Sequence, residues 1–113
     1  AGAIDKDGSQ PLHIAAFAGH VATARALIRR SGAVTARTHL GAQPLHVAAS
    51  RGHDAVAGHL LKQGAEARAR DSNGAQPLHM AAYEGHAKVT DLLLKRRANA
   101  GDQSEDGTTP LDL

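Results

Sequence analysis

Short apolar blocks alternate with polar, glycine-containing stretches along this chain of 113 residues. In one kind of block a leucine precedes a pair of alanines, as in Leu12 followed by Ala15 and Ala16. The other kind contains two adjacent aliphatic residues, as in Leu27-Ile28. Apolar residues three and four positions apart share one side of an α-helix. The pattern therefore predicts pairs of short helices, buried along one side and separated by polar connections.

These helix pairs return with a fixed period of 33 residues. The motif Gln-Pro-Leu-His begins at three positions and an altered copy, Thr-Pro-Leu-Asp, begins at a fourth: Gln10, Gln43, Gln76 and Thr109. An ungapped alignment of residues 38–70 on 71–103 gives 16 identities in 33 positions. A fixed period of this length indicates stacked repeats. We divide the single domain, 1–113, into units at approximately 5–37, 38–70 and 71–103, with a partial unit at 104–113.

Proline and glycine mark the ends of the predicted helices. Proline suits the first helical position because its φ is already helical and its missing N–H would be unpaired there, whereas glycine readily adopts the left-handed conformation that ends a helix. These signals predict first helices over residues 11–18, 44–51 and 77–84. Second helices are predicted over 21–30, 54–63 and 87–96. The intervening residues lack a helical apolar period and are predicted to form extended fingers.

Motif, glycines and period together resemble the ankyrin repeat family, whose unit is a turn plus two antiparallel helices with a Thr-Pro-Leu-His signature. The resemblance covers essentially the whole chain. It implies an all-α solenoid of stacked helix–turn–helix units with β-hairpin-like finger loops. One departure is that Gln10, Gln43 and Gln76 replace the signature threonine, which in the family caps the first helix. The longer side chain is expected to cap less well because it loses more rotamer freedom.

The second helices carry fewer branched aliphatic residues than is usual in that family. Small or polar side chains stand in their place: Thr23, Ala24, Ala26, Ala57, Gly58 and His59. A glycine inside a helix costs about 1 kcal/mol, and each aliphatic residue reduced to alanine forgoes about 2 kcal/mol of burial. The sequence therefore predicts marginal stability and a middle unit that melts early.

Composition removes several classes of chemistry. The absence of cysteine excludes disulfides, thiol nucleophiles and cysteine-ligated zinc. The net charge of +2 gives no indication of an obligate polyanion partner. No segment resembles a signal peptide or a membrane span. We expect a soluble, monomeric, intracellular protein, in the cytoplasm or the nucleus. Its start at Ala1 and its end early in a fourth unit suggest a piece of a longer chain.

Eight histidines raise the question of a metal or acid–base site. Six of them follow the repeat in two series: His13, His46 and His79, then His20, His53 and His86. Residues that recur with every unit serve the scaffold, so we interpret the first series as bonding to neighbouring fingers and the second as stabilising the turn between helices. His39 and His59 stand outside both series.

The remaining candidate chemistry is weak. The chain shows no nucleophile–base pair and no glycine-rich phosphate loop, so we predict no catalytic residue, no metal, no cofactor and no small-molecule substrate. Basic clusters end the second helices, where they complement the helix dipole. They lack interleaved aromatic residues, which argues against a nucleic-acid partner.

The positions that differ between units indicate where a partner would bind. A solenoid presents a concave surface, which in ankyrin repeats is built from finger tips and first helices. The only Phe and the only Tyr, Phe17 and Tyr83, share one repeat position. Aromatic and arginine side chains are the commonest binding anchors. We name Phe17, Arg51, Tyr83 and Leu40 the anchor strip. The wider predicted surface comprises His39, Lys6, Asp7, Ser50, Ser72, Asn73, Glu84, Glu105 and Asp106.

Two alternatives stay open. The two rings, about 20 Å apart if neighbouring helices are spaced as usual, would not be anchors if they simply fill the grooves between first helices. At the level of function, the sequence predicts a protein–protein interaction module, such as a scaffold, adaptor or regulatory domain. The chain would otherwise be the substrate-recruiting segment of a larger enzyme, or a structural spacer.

Overall fold

The computed structural model describes residues 8–96, and within that range the chain forms six α-helices arranged in consecutive pairs. They are α1 (Pro11–Ala18), α2 (Val21–Ser31), α3 (Pro44–Arg51), α4 (Asp54–Lys62), α5 (Pro77–Tyr83) and α6 (Ala87–Lys95). Every predicted boundary is confirmed to within one residue. The first helices α1, α3 and α5 pack in one layer, and α2, α4 and α6 pack in a second layer. The predicted all-α solenoid is therefore confirmed.

A short turn with a left-handed glycine joins the helices of each pair. Gly19, which ends α1, has φ of 76°. It is required for a second reason, because a Cβ there would lie 2.6 Å from Nδ1 of His53 in the next unit. Gly52 stands in the same relation to His86. The Gly-His turn therefore combines a backbone conformation with a close approach between neighbouring units.

The core runs between the two helix layers. The signature leucines, Leu12, Leu45 and Leu78, are buried, and the alanines beside them are small enough to let the first helices pack closely. The second helices complete the core with Val56, Leu60, Val89 and Leu93, all fully buried. Each unit therefore buries its apolar side against its own partner helix and against the neighbouring units.

The small residues of the second helices fall into two groups. Ala24 and Ala57 are almost fully buried, whereas Thr23 is exposed and Gly58 is only partly covered. At Thr23 a larger side chain would remain exposed, so the loss of burial predicted from sequence does not arise there. Ala24 and Ala57 are enclosed by the core, where a larger side chain would need space that its neighbours occupy.

The fingers are tight turns, and no β-strand is formed between residues 8 and 96. In the first complete finger, Thr38 N–H donates to Ala42 O and Gly41 N–H donates to Thr38 O, both at 2.9 Å. Nη1 of Arg37 donates to Gly41 O and to Arg70 O, each at 2.7 Å. The predicted hairpin-like finger is thus a tight turn closed by two backbone hydrogen bonds, and Arg37 links it to the finger that follows.

Candidate protein-binding surface

The exposed side of the first helices carries large apolar side chains. On α1, Ile14 and Phe17 lie three residues apart and therefore share one face, and each is 54% exposed. Tyr83, at the end of α5, is 78% exposed. Most of each ring surface faces solvent, so neither ring fills a closed groove between helices. This exposure favours the anchor interpretation over the groove-filling alternative.

Arg51 and Phe17 are brought into direct contact. The guanidinium carbon of Arg51 lies 4.5 Å from the centroid of the Phe17 ring, a cation–π arrangement between neighbouring units. Such a pair at an exposed site contributes about 0.5–1 kcal/mol. Two members of the anchor strip are thereby held together before any partner arrives.

The finger tips contribute one exposed apolar residue and several polar residues that already have partners. Leu40 is 70% exposed. Ser72, one unit later, donates from its backbone N–H and from Oγ to the Leu40 carbonyl, at 2.9 and 2.6 Å. The ring of His39 packs on Gly8, where a Cβ would come within 2.6 Å of it. His39 and Ser72 therefore join successive fingers as well as lying at the surface.

The remaining predicted contact residues differ in their exposure to solvent. Asn73 is exposed, and its backbone N–H donates to Oδ1 of Asp71 at 2.9 Å. Ser50 is partly covered on α3, and Glu84 is exposed just after α5. Four predicted residues lie outside the described residues: Lys6, Asp7, Glu105 and Asp106.

Ile14 was missed by the sequence reasoning, although a signal for it was present. Its repeat position holds Ile14, Val47 and Met80, so it varies between units as the predicted contact positions do. Val47 and Met80 are partly covered, whereas Ile14 is exposed. Ile14 extends the apolar part of the surface beside Phe17.

Comparison with known families agrees with this architecture. A sequence profile of ankyrin repeats, in a form that holds three copies, matches residues 1–71 and residues 45–113, which together span the chain. The chain belongs to the ankyrin repeat family. Ankyrin repeats are generally protein–protein interaction modules, and ankyrin domains are typically non-catalytic. No curated protein matches the chain well enough to indicate a more specific relative.

The ankyrin signature histidines connect each first helix to the next finger. Nδ1 of His46 accepts from the Gln43 backbone N–H at 3.0 Å, and its Nε2 donates to Ala75 O at 3.0 Å. His13 makes the same pair of bonds with Gln10 and Ala42. These rings are therefore neutral and carry their proton on Nε2. The predicted bond to neighbouring fingers is confirmed.

The Gly-His histidines of the ankyrin turns act over a longer range than predicted. Nε2 of His53 donates to Phe17 O at 3.0 Å, and Nε2 of His86 donates to Ser50 O at 2.9 Å. Both acceptors lie in the first helix of the preceding unit. These residues therefore join consecutive units, in addition to occupying the turn between helices.

The glutamine that replaces the ankyrin threonine is a poor cap, as predicted. Gln43 is 4% exposed, yet its Oε1 accepts no hydrogen bond of good geometry from any residue in the described range. Both halves of a capping box are nevertheless in place: the Gln43 side chain faces the His46 backbone N–H, and Nδ1 of His46 accepts from the Gln43 N–H at 3.0 Å. A buried acceptor without a donor is destabilising.

None of the helices between residues 8 and 96 has the length and hydrophobicity of a membrane-spanning segment. The same residues contain no group of three or more His, Asp or Glu side chains positioned to hold a metal ion.

Proposed function

We propose that this ankyrin domain binds a protein partner through the anchor strip, extended by Ile14. The observation that carries the proposal is the pairing of Phe17 with Arg51 across two units, together with the exposure of Ile14 and Tyr83 on other parts of the first helices. Aromatic and arginine residues dominate the energetics of protein interfaces. A surface on which they are already oriented loses less conformational entropy on binding.

The surface favours a binding role over a structural spacer. Large exposed apolar side chains on the first helices have no use in a spacer, and they carry a risk of aggregation. The substrate-recruiting segment of an enzyme would use the same surface in the same way. An interaction module and a substrate-recruiting segment would both act by binding a protein. We therefore propose a binding role, within a scaffold, adaptor or regulatory protein.

The test compares two double variants of the chain. Phe17→Ala with Tyr83→Ala removes both rings of the anchor strip, whereas Leu94→Ala with Arg30→Ala removes an exposed apolar and a basic side chain from the second helices. Proteins captured by the native chain are identified by mass spectrometry, and the Kd of a purified candidate is then measured for all three chains.

The ring variant should weaken binding roughly 100-fold or more, because two anchor residues are lost, while the control stays near the native value. Circular dichroism verifies that both variants remain helical. An unchanged Kd for the ring variant would show that the surface is misplaced. Loss of binding in the control alone would move the site to the second helices.

We further propose that the chain acts as a monomer inside the cell, in the cytoplasm or the nucleus. Its lack of cysteine is compatible with a reducing compartment. Light scattering on the purified chain tests the first part, and a fluorescent fusion followed by microscopy tests the second. A dimer mass or secretion into the medium would contradict the proposal.

A further inference from the structure

An open groove crosses the layer formed by α2, α4 and α6, away from the anchor strip. Its volume is about 550 Å³, and its apolar floor includes Val21, Gly58 and Leu92. The floor is low because Gly58 has no side chain. A Cβ added there would lie 3.7 Å from Cδ2 of Leu92, which is ordinary contact, and beyond its own helix it would meet no other atom of the described residues within 4 Å.

The groove is more positive than the chain as a whole. Five basic residues line it together with two acidic ones: Arg25, Lys62, Lys88, Lys95, Arg96, Asp54 and Asp91. Their balance of three positive charges exceeds the net +2 of the entire chain. Asp91 is paired with Lys95 at 3.1 Å, which reduces the effect of both charges on a ligand.

Complementing the helix dipole does not account for all of these cations. Lys62 and Lys95 end their helices, where a positive charge is favoured. Arg25, however, lies in the middle of α2, and Lys88 is the second residue of α6, where the dipole disfavours a cation. Their convergence on one groove therefore calls for another explanation.

His59 lines the groove and lies near cations of two helices. Partial burial lowers the pKa of His59, and the nearby charges of Arg25, Lys62 and Arg29 lower it further. Arg25 and Arg29 belong to α2, whereas Lys62 belongs to α4. Cations from two helices thus act on the same point.

We propose that this groove docks an acidic peptide segment that carries an apolar residue, as a second binding site on the domain. The apolar side chain would rest on the floor at Gly58, and the carboxylates would pair with the surrounding Lys and Arg side chains. Three adjacent helices span about 20 Å, which matches about six residues of extended peptide. The site lies on other helices than the anchor strip and is independent of the proposed function above.

Nucleic acid fits this groove less well. No Phe, Tyr or Trp side chain lines it, so the imidazole of His59 is the one ring in the lining on which a base could stack. Asp54 and Asp91 also stand within it and would repel a continuous row of phosphates. A peptide can place its carboxylates away from these two residues, whereas a nucleic-acid backbone cannot space its charges freely.

The experiment measures fluorescence anisotropy of a labelled octapeptide of six glutamates and two leucines, titrated with the whole chain. Lys62→Glu changes the groove, and Arg30→Glu is its matched control. Both residues lie in the last turn of a second helix, both changes alter the charge equally, and Arg30 does not line the groove. A third variant, Gly58→Met, covers the floor with a residue that favours helix formation.

Lys62→Glu should weaken peptide binding about fivefold or more, and Arg30→Glu less than twofold, because only the first places a negative charge against the ligand. Gly58→Met should also weaken binding about fivefold while leaving the chain at least as stable. Phe17→Ala with Tyr83→Ala should leave peptide affinity unchanged. This last variant separates the failure of one site from the failure of the other.

Two results would overturn the proposal. One is equal weakening by Lys62→Glu and Arg30→Glu, which would mean that the peptide responds to net charge alone. The other is binding of an all-glutamate octapeptide, or of a single-stranded DNA octamer, as tightly as the leucine-containing peptide. Equally tight binding of either comparison ligand would show that the apolar floor takes no part in recognition.

Discussion

At the scale of single residues, His46 shows how one side chain serves two units. Its Nδ1 must lack a proton to accept from Gln43 N–H, and its Nε2 must carry one to donate to Ala75 O. Protonation of Nδ1 would break the first bond in a buried site. Burial is the main reason why the pKa of His46 lies below its ordinary value, and the charge of Arg37 lowers it further, although Asp71 and Ala75 act in the opposite direction.

This shift predicts that the domain loses stability in acid. An unfolded histidine takes up a proton near pH 6.5, whereas folded His46 does so only at lower pH. The stabilisation by neutral His46 is therefore fully present above about pH 6.5 and declines as the pH falls below it. Urea unfolding from pH 8 to pH 5 measures the decline. His46→Asn should be less stable at pH 8, but its free energy of unfolding should fall less between pH 8 and pH 5. An equal fall in both proteins would show that groups other than His46 cause the acid sensitivity.

A second prediction at this scale concerns the buried glutamine cap. Gln43→Thr should raise the free energy of unfolding by about 1 kcal/mol, because a short hydroxyl side chain caps a helix better and the buried, unsatisfied Oε1 is removed. Denaturant unfolding at pH 8 measures the gain. Gln43→Val has the shape of the threonine variant without its hydroxyl and should gain less. Equal gains in both would mean that the hydroxyl forms no cap.

At the scale of elements, α4 is the helix with the clearest local defect. Gly58 lies in its interior with a helical backbone, and a Cβ there would meet only Leu92 Cδ2, at 3.7 Å. The glycine is therefore imposed neither by the backbone conformation nor by close packing. This differs from Gly19 and Gly52 in the turns, where both reasons apply.

Gly58→Ala should accordingly raise the free energy of unfolding by about 1 kcal/mol. Gly52→Ala provides the contrast, because Gly52 has φ of 77° and a Cβ there would lie 2.6 Å from Nδ1 of His86. That variant should lose more than 1 kcal/mol. Both are measured by urea unfolding, and a loss of stability in Gly58→Ala would mean that the space beside Leu92 is needed open.

At the scale of the whole molecule, the order in which units open follows from their neighbours. The middle unit packs against a unit on each side, since α3 contacts both α1 and α5. Its second helix buries Val56, Ala57, Leu60 and Leu61, whereas α2 buries only Ala24 and Ile28. In a linear array, stability is the sum of each unit and its interfaces. This packing favours a stable middle unit and opposes the early melting predicted from sequence.

Amide hydrogen exchange of the native chain can decide between the two orders. We expect the slowest exchange in α3 and α4 and faster exchange in α2, with a modest overall stability and a melting temperature below about 80 °C. Fastest exchange in α4 would support the prediction from the sequence that the middle unit melts first. A single steep melting transition above that temperature would contradict marginal stability altogether.

The sequence by itself determined the helices, the family and part of the surface. Helix ends depend on local signals, such as Pro44 at a first position and Gly52 after a last one, and the 33-residue period places equivalent residues at equivalent sites. For that reason Phe17 and Tyr83 could be assigned to one repeat position without coordinates.

Only the tertiary structure decided which of those residues meet. The stacking of Arg51 on Phe17, the use of His39 and Ser72 between fingers, and the exposure of Ile14 all depend on distances between side chains in neighbouring units. The basic groove over Gly58 likewise requires three helices to lie side by side. A repeat pattern specifies which residues are equivalent, but contacts between units arise only when the chain has stacked, because each unit meets atoms that are remote in sequence.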